Sequence, residues 1–249
     1  MDALIQTEQA TALQATVLTP LAAEEAAARA LRAAKAAATK VEFFTLVRGE
    51  DIHPRARRRQ TTPEALLGGF RAAPTQSARA FRAALEAMAR PGTIWTVEGA
   101  RPPQPMSTAA GLLLLTLCDG ITPLHLGPSL NQPVVRDWVT FHTRAPLVAA
   151  EDARFAVGNW GDLTPVSRFA IGLPDCPDRS ATLIVEMPVL MAAGACLTGP
   201  GIRDAAHLNL PETQAFRANR ALFPQGFDTY LTCGARLAGL PRSTSVEAV

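Results

Sequence analysis

The chain has 249 residues, 48% of them hydrophobic, and 24 Lys and Arg against 22 Asp and Glu give it a net charge of +2. That is ample apolar material for a buried core, which excludes wholesale disorder. So small a charge supplies no overall field to recruit nucleic acid or an acidic membrane, and neither is expected as a partner.

The N-terminal stretch MDALIQTEQATALQATVL has neither the basic nor the apolar region of a secretory signal. Residues 20–38, PLAAEEAAARALRAAKAAA, predict a helix. Thr19 can cap it, Pro20 suits its first turn, and Glu24 and Glu25 precede Arg29, Arg32 and Lys35 in the order the helix dipole favours. Its only large apolar residues are Leu21 and Leu31, so it needs a neighbour to dock on. Val41–Val47, VEFFTLV, predicts a strand with apolar groups on both faces. Residues 52–62 follow as a basic linker, whose run Arg55-Ala-Arg57-Arg58-Arg59 reads as a solvated charge run.

Strands and helices alternate through residues 76–233 of a body that begins at residue 63. Gln76–Met88 predicts a helix with Ala80, Phe81, Ala84, Leu85 and Met88 on one face, stopped by Arg90-Pro91-Gly92. Strands are expected at Thr93–Val97, Pro123–Leu126, Ala181–Met187, Ala195–Thr198 and Asp228–Cys233, with a last extended run from Leu237 to Val246. Helices are expected at Met106–Cys118, Pro133–Thr143 and 212–222. The alternation predicts an α/β fold, a mixed sheet covered by helices on both faces. The longest apolar run, Gly111–Leu117, is too short to span a bilayer, so a cytoplasmic protein is expected.

The chemistry is bounded first by what is missing. The only lysines are Lys35 and Lys40, so residues 41–249 can form no Schiff base and hold no P-loop. There is no G-x-S-x-G elbow and no H-E-x-x-H helix. Cys118, Cys176, Cys196 and Cys233 form no C-x-x-C pair, and no metal site is expected. His53, His125, His142 and His207 are solitary in sequence and read as structural side chains. Three loops remain as candidates. In Leu197-Thr-Gly-Pro-Gly-Ile202, followed by Arg203, the backbone at Gly199 and Gly201 can turn N–H groups toward an anion between Thr198 and Arg203. The bland alternative is a tight turn. Phe223-Pro-Gln-Gly226-Phe-Asp228 reads as a turn that positions the last strands. Pro241-Arg242-Ser243-Thr244 gathers a guanidinium and two hydroxyls, suited to a phosphate, a subunit contact or a polar strand edge.

Seven segments in order carry a resemblance: PTQSARAFRAALEAMARPG (74–92), LLLLTLCDGITPLHL (112–126), FHTRAP (141–146), SATLIVE (180–186), LTGPGI (197–202), LFPQGFD (222–228) and LTCGARLAGLPRSTSVE (231–247). Together they resemble the H subunit of the carbon–phosphorus lyase core complex, the PhnH family. AATKVEFFTLVRGED (37–51) resembles the C-terminal tail of the G subunit, PhnG. The expected organisation is thus a truncated G remnant over 1–51, the basic linker over 52–62 and an H domain over 63–249, as a gene fusion or a deletion would produce.

The resemblance implies a fold like that of pyridoxal-phosphate-dependent transferases without the cofactor, and no cofactor is expected. It implies a role in phosphonate catabolism, where the G, H, I and L subunits transfer ribose 5-triphosphate from ATP to an alkylphosphonate. Other core subunits of the G, I and J types are the implied partners, with a homodimer when the subunit is isolated. No catalytic residue carries over. Two functions stand side by side. One is an assembly subunit that is not catalytic alone, with Trp95, Trp138 and Trp160 as either interface anchors or core residues. The other is a phosphate- or nucleotide-binding enzyme acting through Thr198, Gly199, Gly201 and Arg203.

Overall fold

The computed structural model describes residues 63–248, and the expected helix at 20–38, strand at Val41–Val47 and linker at 52–62 lie outside them. The first long element is α1, Ala73–Ala89. Pro74 sits in its first turn, where a missing N–H costs nothing, and the Gln76 carboxamide oxygen accepts from Ala72 N–H at 2.8 Å. After β1 (Trp95–Thr96) comes α2 (Thr108–Leu117), whose start is fixed by the Ser107 hydroxyl accepting from Ala110 N–H at 3.1 Å. Strand β2 (Leu124–Leu126) leads to α3 (Pro133–Thr143), which opens on a proline and ends where Arg144 turns left-handed at φ 59°.

Strand β3 (Phe155–Asn159) runs directly into α4, the single turn Trp160–Leu163. The hairpin β4 (Ile171–Leu173) and β5 (Cys176–Ser180) follows, then β6 (Thr182–Glu186). The chain continues through β7 (Ala195–Thr198), β8 (Ala206–Leu208) and α5 (Gln214–Ala221) to β9 (Asp228–Cys233), β10 (Arg236–Leu240) and β11 (Ser245–Glu247).

The main sheet has the order β1-β10-β9-β6-β3-β2. Strands β2, β3, β6 and β9 are parallel, while β10 and β1 continue the sheet antiparallel through the tight β9–β10 turn. Successive side chains point to opposite faces, and two cores result. Val157, Ile184, Tyr230 and Leu237 pack beneath α1, α2 and α3. Ala156, Leu183, Val185, Leu231 and Ala238 face the other way, toward α4, α5 and a smaller antiparallel sheet, β11-β7-β8. The protein is therefore α/β with a mixed sheet, but only one face is covered by helices alone. On the other, the small sheet shares the work because β7, β8 and β11 carry buried Leu197, Leu208 and Val246.

Three expectations need correction. The buried face of α1 is Ala80, Ala84 and Ala87, and Phe81 and Leu85 stay 52% and 57% exposed. The cause is close packing on β10: a Cβ at Gly239 would lie 2.5 Å from the Ala87 carbonyl, so only small side chains fit between helix and sheet. The expected run Leu237–Val246 is two strands in different sheets, parted by the turn at Pro241–Thr244. Finally, β3, an inner strand of the parallel set, was not expected at all.

Candidate functional site

The turn after β7 connects it to β8 in a hairpin and brings Thr198, Gly199, Gly201 and Arg203 together. Thr198 pairs with Ser245 of β11 and is half-buried, whereas Gly199, Gly201 and Arg203 are exposed. The Ile202 N–H is taken within the turn, donating to Gly199 O at 3.1 Å. Gly201 has φ +81°, and a Cβ there would sit 2.0 Å from Ala89 O at the end of α1. A glycine at 201 is thus required by the docking of the hairpin on the helix. The geometry is that of a turn with one exposed guanidinium beside it.

The other two loops are occupied by internal bonds. Arg242 reaches Asp228 at 2.6 Å, donates to Pro177 O at 2.8 Å and also meets the Ser180 hydroxyl, so its fork is spent tying β5 to the start of β9. Its Thr244 neighbour is buried. In the 223–228 loop, Asn219 of α5 accepts from Phe227 N–H and donates to Phe227 O, both at 2.8 Å.

The carboxyl ends of parallel strands are the usual place for a ligand in an α/β sheet. Here protein groups fill them. Glu186, last in β6, accepts from Ser107 N–H at 2.7 Å and from the Thr232 hydroxyl at 3.0 Å. Burial pushes its carboxyl above the ordinary value, and the bonds from Ser107 and Thr232 oppose that. Asp162 accepts from Ser129 N–H at 3.1 Å and from the Ser129 hydroxyl across the ends of β2 and β3.

Two further reactive side chains, His125 and Cys118, take packing roles. His125 Nδ1 faces Val148 O at 3.1 Å, and its ring meets Phe169 edge-on. Cys118 is buried, and burial together with Asp119 pushes its thiol up to about 12. Among the described residues no group of His, Cys, Asp and Glu could hold a metal ion, and no helix is long and apolar enough to cross a membrane. Of the tryptophans, Trp138 is buried and Trp95 and Trp160 are half-buried. Trp138 is fully buried and donates from Nε1 to Leu67 O at 2.8 Å, Trp95 packs on the helical core, and Trp160 stacks on Phe216 with ring centres 5.1 Å apart.

A further concavity, which no sequence motif marks, is a cleft of about 1110 Å³. Arg71, Gln76, Arg79, Glu98, Arg101 and His142 line it. Its wall is the segment 67–71, clamped from two sides. Trp138 and His142 of α3 both reach Leu67 O, and Arg101 N–H donates to Gly68 O at 2.8 Å. Gly68 has φ +83°, and a Cβ there would lie 1.9 Å from Arg101 O, so this approach needs glycine. The available signal was the Gly68-Gly69 pair before Arg71, together with Gln76 and Arg79 one helical turn apart. Nothing in the sequence placed Arg101 beside them.

Comparison with known proteins gives three matches. Residues 68–247 match the family model described as bacterial phosphonate metabolism protein (PhnH). Residues 1–49 match the model for phosphonate metabolism protein PhnG. A curated relative from Rhizobium meliloti (strain 1021), the alpha-D-ribose 1-methylphosphonate 5-triphosphate synthase subunit PhnH, is 39% identical over 176 residues, covering 67% of this chain and 88% of that protein.

Proposed function

The chain belongs to the PhnH family of bacterial phosphonate metabolism proteins, and on that premise we propose that it is an assembly subunit of the synthase that joins ribose 5-triphosphate to an alkylphosphonate. It acts with the G-, I- and L-type subunits in the cytoplasm and performs no catalysis alone. Subunits of the G, I and J types are its partners in the core complex, and it pairs with a second copy when isolated. The observation that carries this reading is the outer face of α1. Phe81 and Leu85 stand one turn apart, each more than half exposed, on a helix already anchored by its alanines. Unpaired apolar side chains on a rigid element are what a subunit contact uses.

The match of residues 1–49 to PhnG supports reading the chain as a G-type segment joined through 52–62 to an H-type body at 63–249. The mixed sheet without a lysine in the body also suits a pyridoxal-phosphate-transferase-like fold that holds no cofactor.

The test is capture of the I-type subunit by the tagged full chain. The Phe81→Glu/Leu85→Glu double variant should lose capture while its circular dichroism and melting stay those of the parent. Undiminished capture sinks the contact. The alternative, a phosphate- or nucleotide-binding enzyme acting through Thr198, Gly199, Gly201 and Arg203, predicts that calorimetry with ATP and methylphosphonate detects binding that Arg203→Ala abolishes.

A further inference from the structure

We infer that the cleft bounded by Arg71, Arg79 and Arg101 binds the polyphosphate arm of a ribose triphosphate. The inference rests on the synthase reading above and gives that subunit a substrate-holding surface of its own.

Three observations carry it. The first is convergence. Arg71 precedes α1, Arg79 lies on it, and Arg101 follows β1, yet all three line one concavity. Among the described residues none of them forms an ion pair, and Glu98 is the one carboxylate on the same lining. Three planar, permanently charged forks facing one space suit a chain of phosphates better than any single ion.

The second is construction. The cleft wall is held by Trp138 at Leu67 and by the Gly68–Arg101 backbone bond, so the arginines project from fixed supports. Gln76 contributes as well. Its carboxamide oxygen is engaged by Ala72 N–H, so what it offers the cleft is its NH₂ group.

The third is size and polarity. Small-molecule sites run to roughly 300–1,000 Å³, and this cleft, at about 1110 Å³, is roomier than that range and can admit an extended sugar triphosphate. Phe70 and Leu112 give it apolar lining against which a ribose can rest. The curated relative's name describes a product with a 5-triphosphate and a phosphonate ester on one sugar. Such a polyanion needs several cations at once to offset its dehydration.

The experiment is calorimetric titration of the full chain with inorganic tripolyphosphate and, separately, with ATP. Both should bind, with affinity falling as salt rises. Arg79→Ala and Arg101→Ala should each weaken binding about tenfold or more, and the double variant should lose it. Arg217→Ala, on α5 across the sheet, should bind as the parent does. Arg79→Lys should recover part of the loss, which separates charge from collapse of the wall. The inference is overturned if neither probe binds, if the cleft variants bind as the parent does, or if Arg203→Ala removes binding that the cleft variants keep. ATP binding without tripolyphosphate binding also overturns it, because the phosphates would then not be what the cleft holds. Loss of binding leaves the capture assay unaffected, so failure here and failure of the assembly reading are distinguishable.

Discussion

Trp138 offers a sharp test of how the cleft wall is supported. It is fully buried in α3, and its indole N–H reaches Leu67 O at 2.8 Å. Its ring also lies against His142, with centres 5.0 Å apart. Two contributions can be separated by substitution. Trp138→Phe keeps much of the packing but removes the donor, leaving Leu67 O with the longer 3.3 Å contact to His142 Nε2. A lost bond of this kind costs about 1–2 kcal/mol once the partly orphaned carbonyl is included. Trp138→Ala removes the packing as well, and large aromatics in cores cost about 3–5 kcal/mol on truncation. For a body of this size each kcal/mol is about 2–4 °C in Tm. The Phe variant should therefore melt a few degrees below the parent and the Ala variant roughly 6–20 °C below. Denaturant titration measures the two losses, and amide exchange at residues 67–70 reads the wall directly. Exchange there should quicken in Trp138→Phe while the strands keep their protection. A Phe variant with parental stability and parental exchange at 67–70 would refute the claim that the indole bond fixes the wall.

Two further predictions concern the sheet. Glu186 has its carboxyl raised by burial, so the folded state holds that proton more tightly than the unfolded one. Stability should then fall as pH rises from the ordinary value of 4.5 through the raised one, at about 1.4 kcal/mol per pH unit of separation. In Glu186→Gln the amide can still accept from Ser107 N–H and can donate to Thr232, so the variant should lose that slope and be the more stable protein at neutral pH. Urea titrations from acid to neutral check this, and a variant less stable than the parent throughout overturns it. Arg242→Ala strands the Asp228 carboxylate and releases Pro177 and Ser180 together. The guanidinium and carboxylate are 13% and 28% exposed, so the loss should fall near the lower end of the roughly 3–5 kcal/mol seen on breaking buried pairs. Arg242→Lys should restore only part, since an ammonium cannot span three acceptors, and the midpoint of denaturation reads both.

The elements legible in the sequence are those whose signals are local. Pro133–Thr143 opens on a proline and carries a periodic apolar face, and its bounds match the structure residue for residue. Asp228–Cys233 and Ala195–Thr198 do so as well. Strand β3 was invisible because FAVGN contains Ala, Gly and Asn, poor strand formers that are acceptable here only because β2 and β6 flank them on both sides. The same limit hid the cleft. Gly201 and Arg203 stand together in sequence and attract notice, whereas Arg71 and Arg101 are thirty positions apart and meet only once 67–71 folds back on 98–101. Arg242 shows the reverse. Its neighbours Ser243 and Thr244 suggested a phosphate site, but the sheet supplies Asp228, Ser180 and Pro177 from elsewhere and consumes the guanidinium.

Helix α1 ties the two proposals together by its geometry. At roughly 100° per residue, Ala80, Ala84 and Ala87 cluster on one line, which is the line that meets β10. Gln76, Arg79 and Ala83 fall to one side of it, toward the cleft. Phe81 and Leu85 fall to the other, about 100–140° from the alanine line, and are exposed. One helix thus packs by its smallest side chains, faces a polyanion with one flank and offers an apolar contact with the other. A partner seated on Phe81 and Leu85 need not cover the arginines. Capture and polyphosphate binding should then be independent in the isolated chain: Phe81→Glu/Leu85→Glu should leave tripolyphosphate affinity within about twofold, and Arg79→Ala should leave capture intact. If both functions fall together in either variant, α1 does not divide its labour in this way, and the cleft and the stripe belong to a single surface.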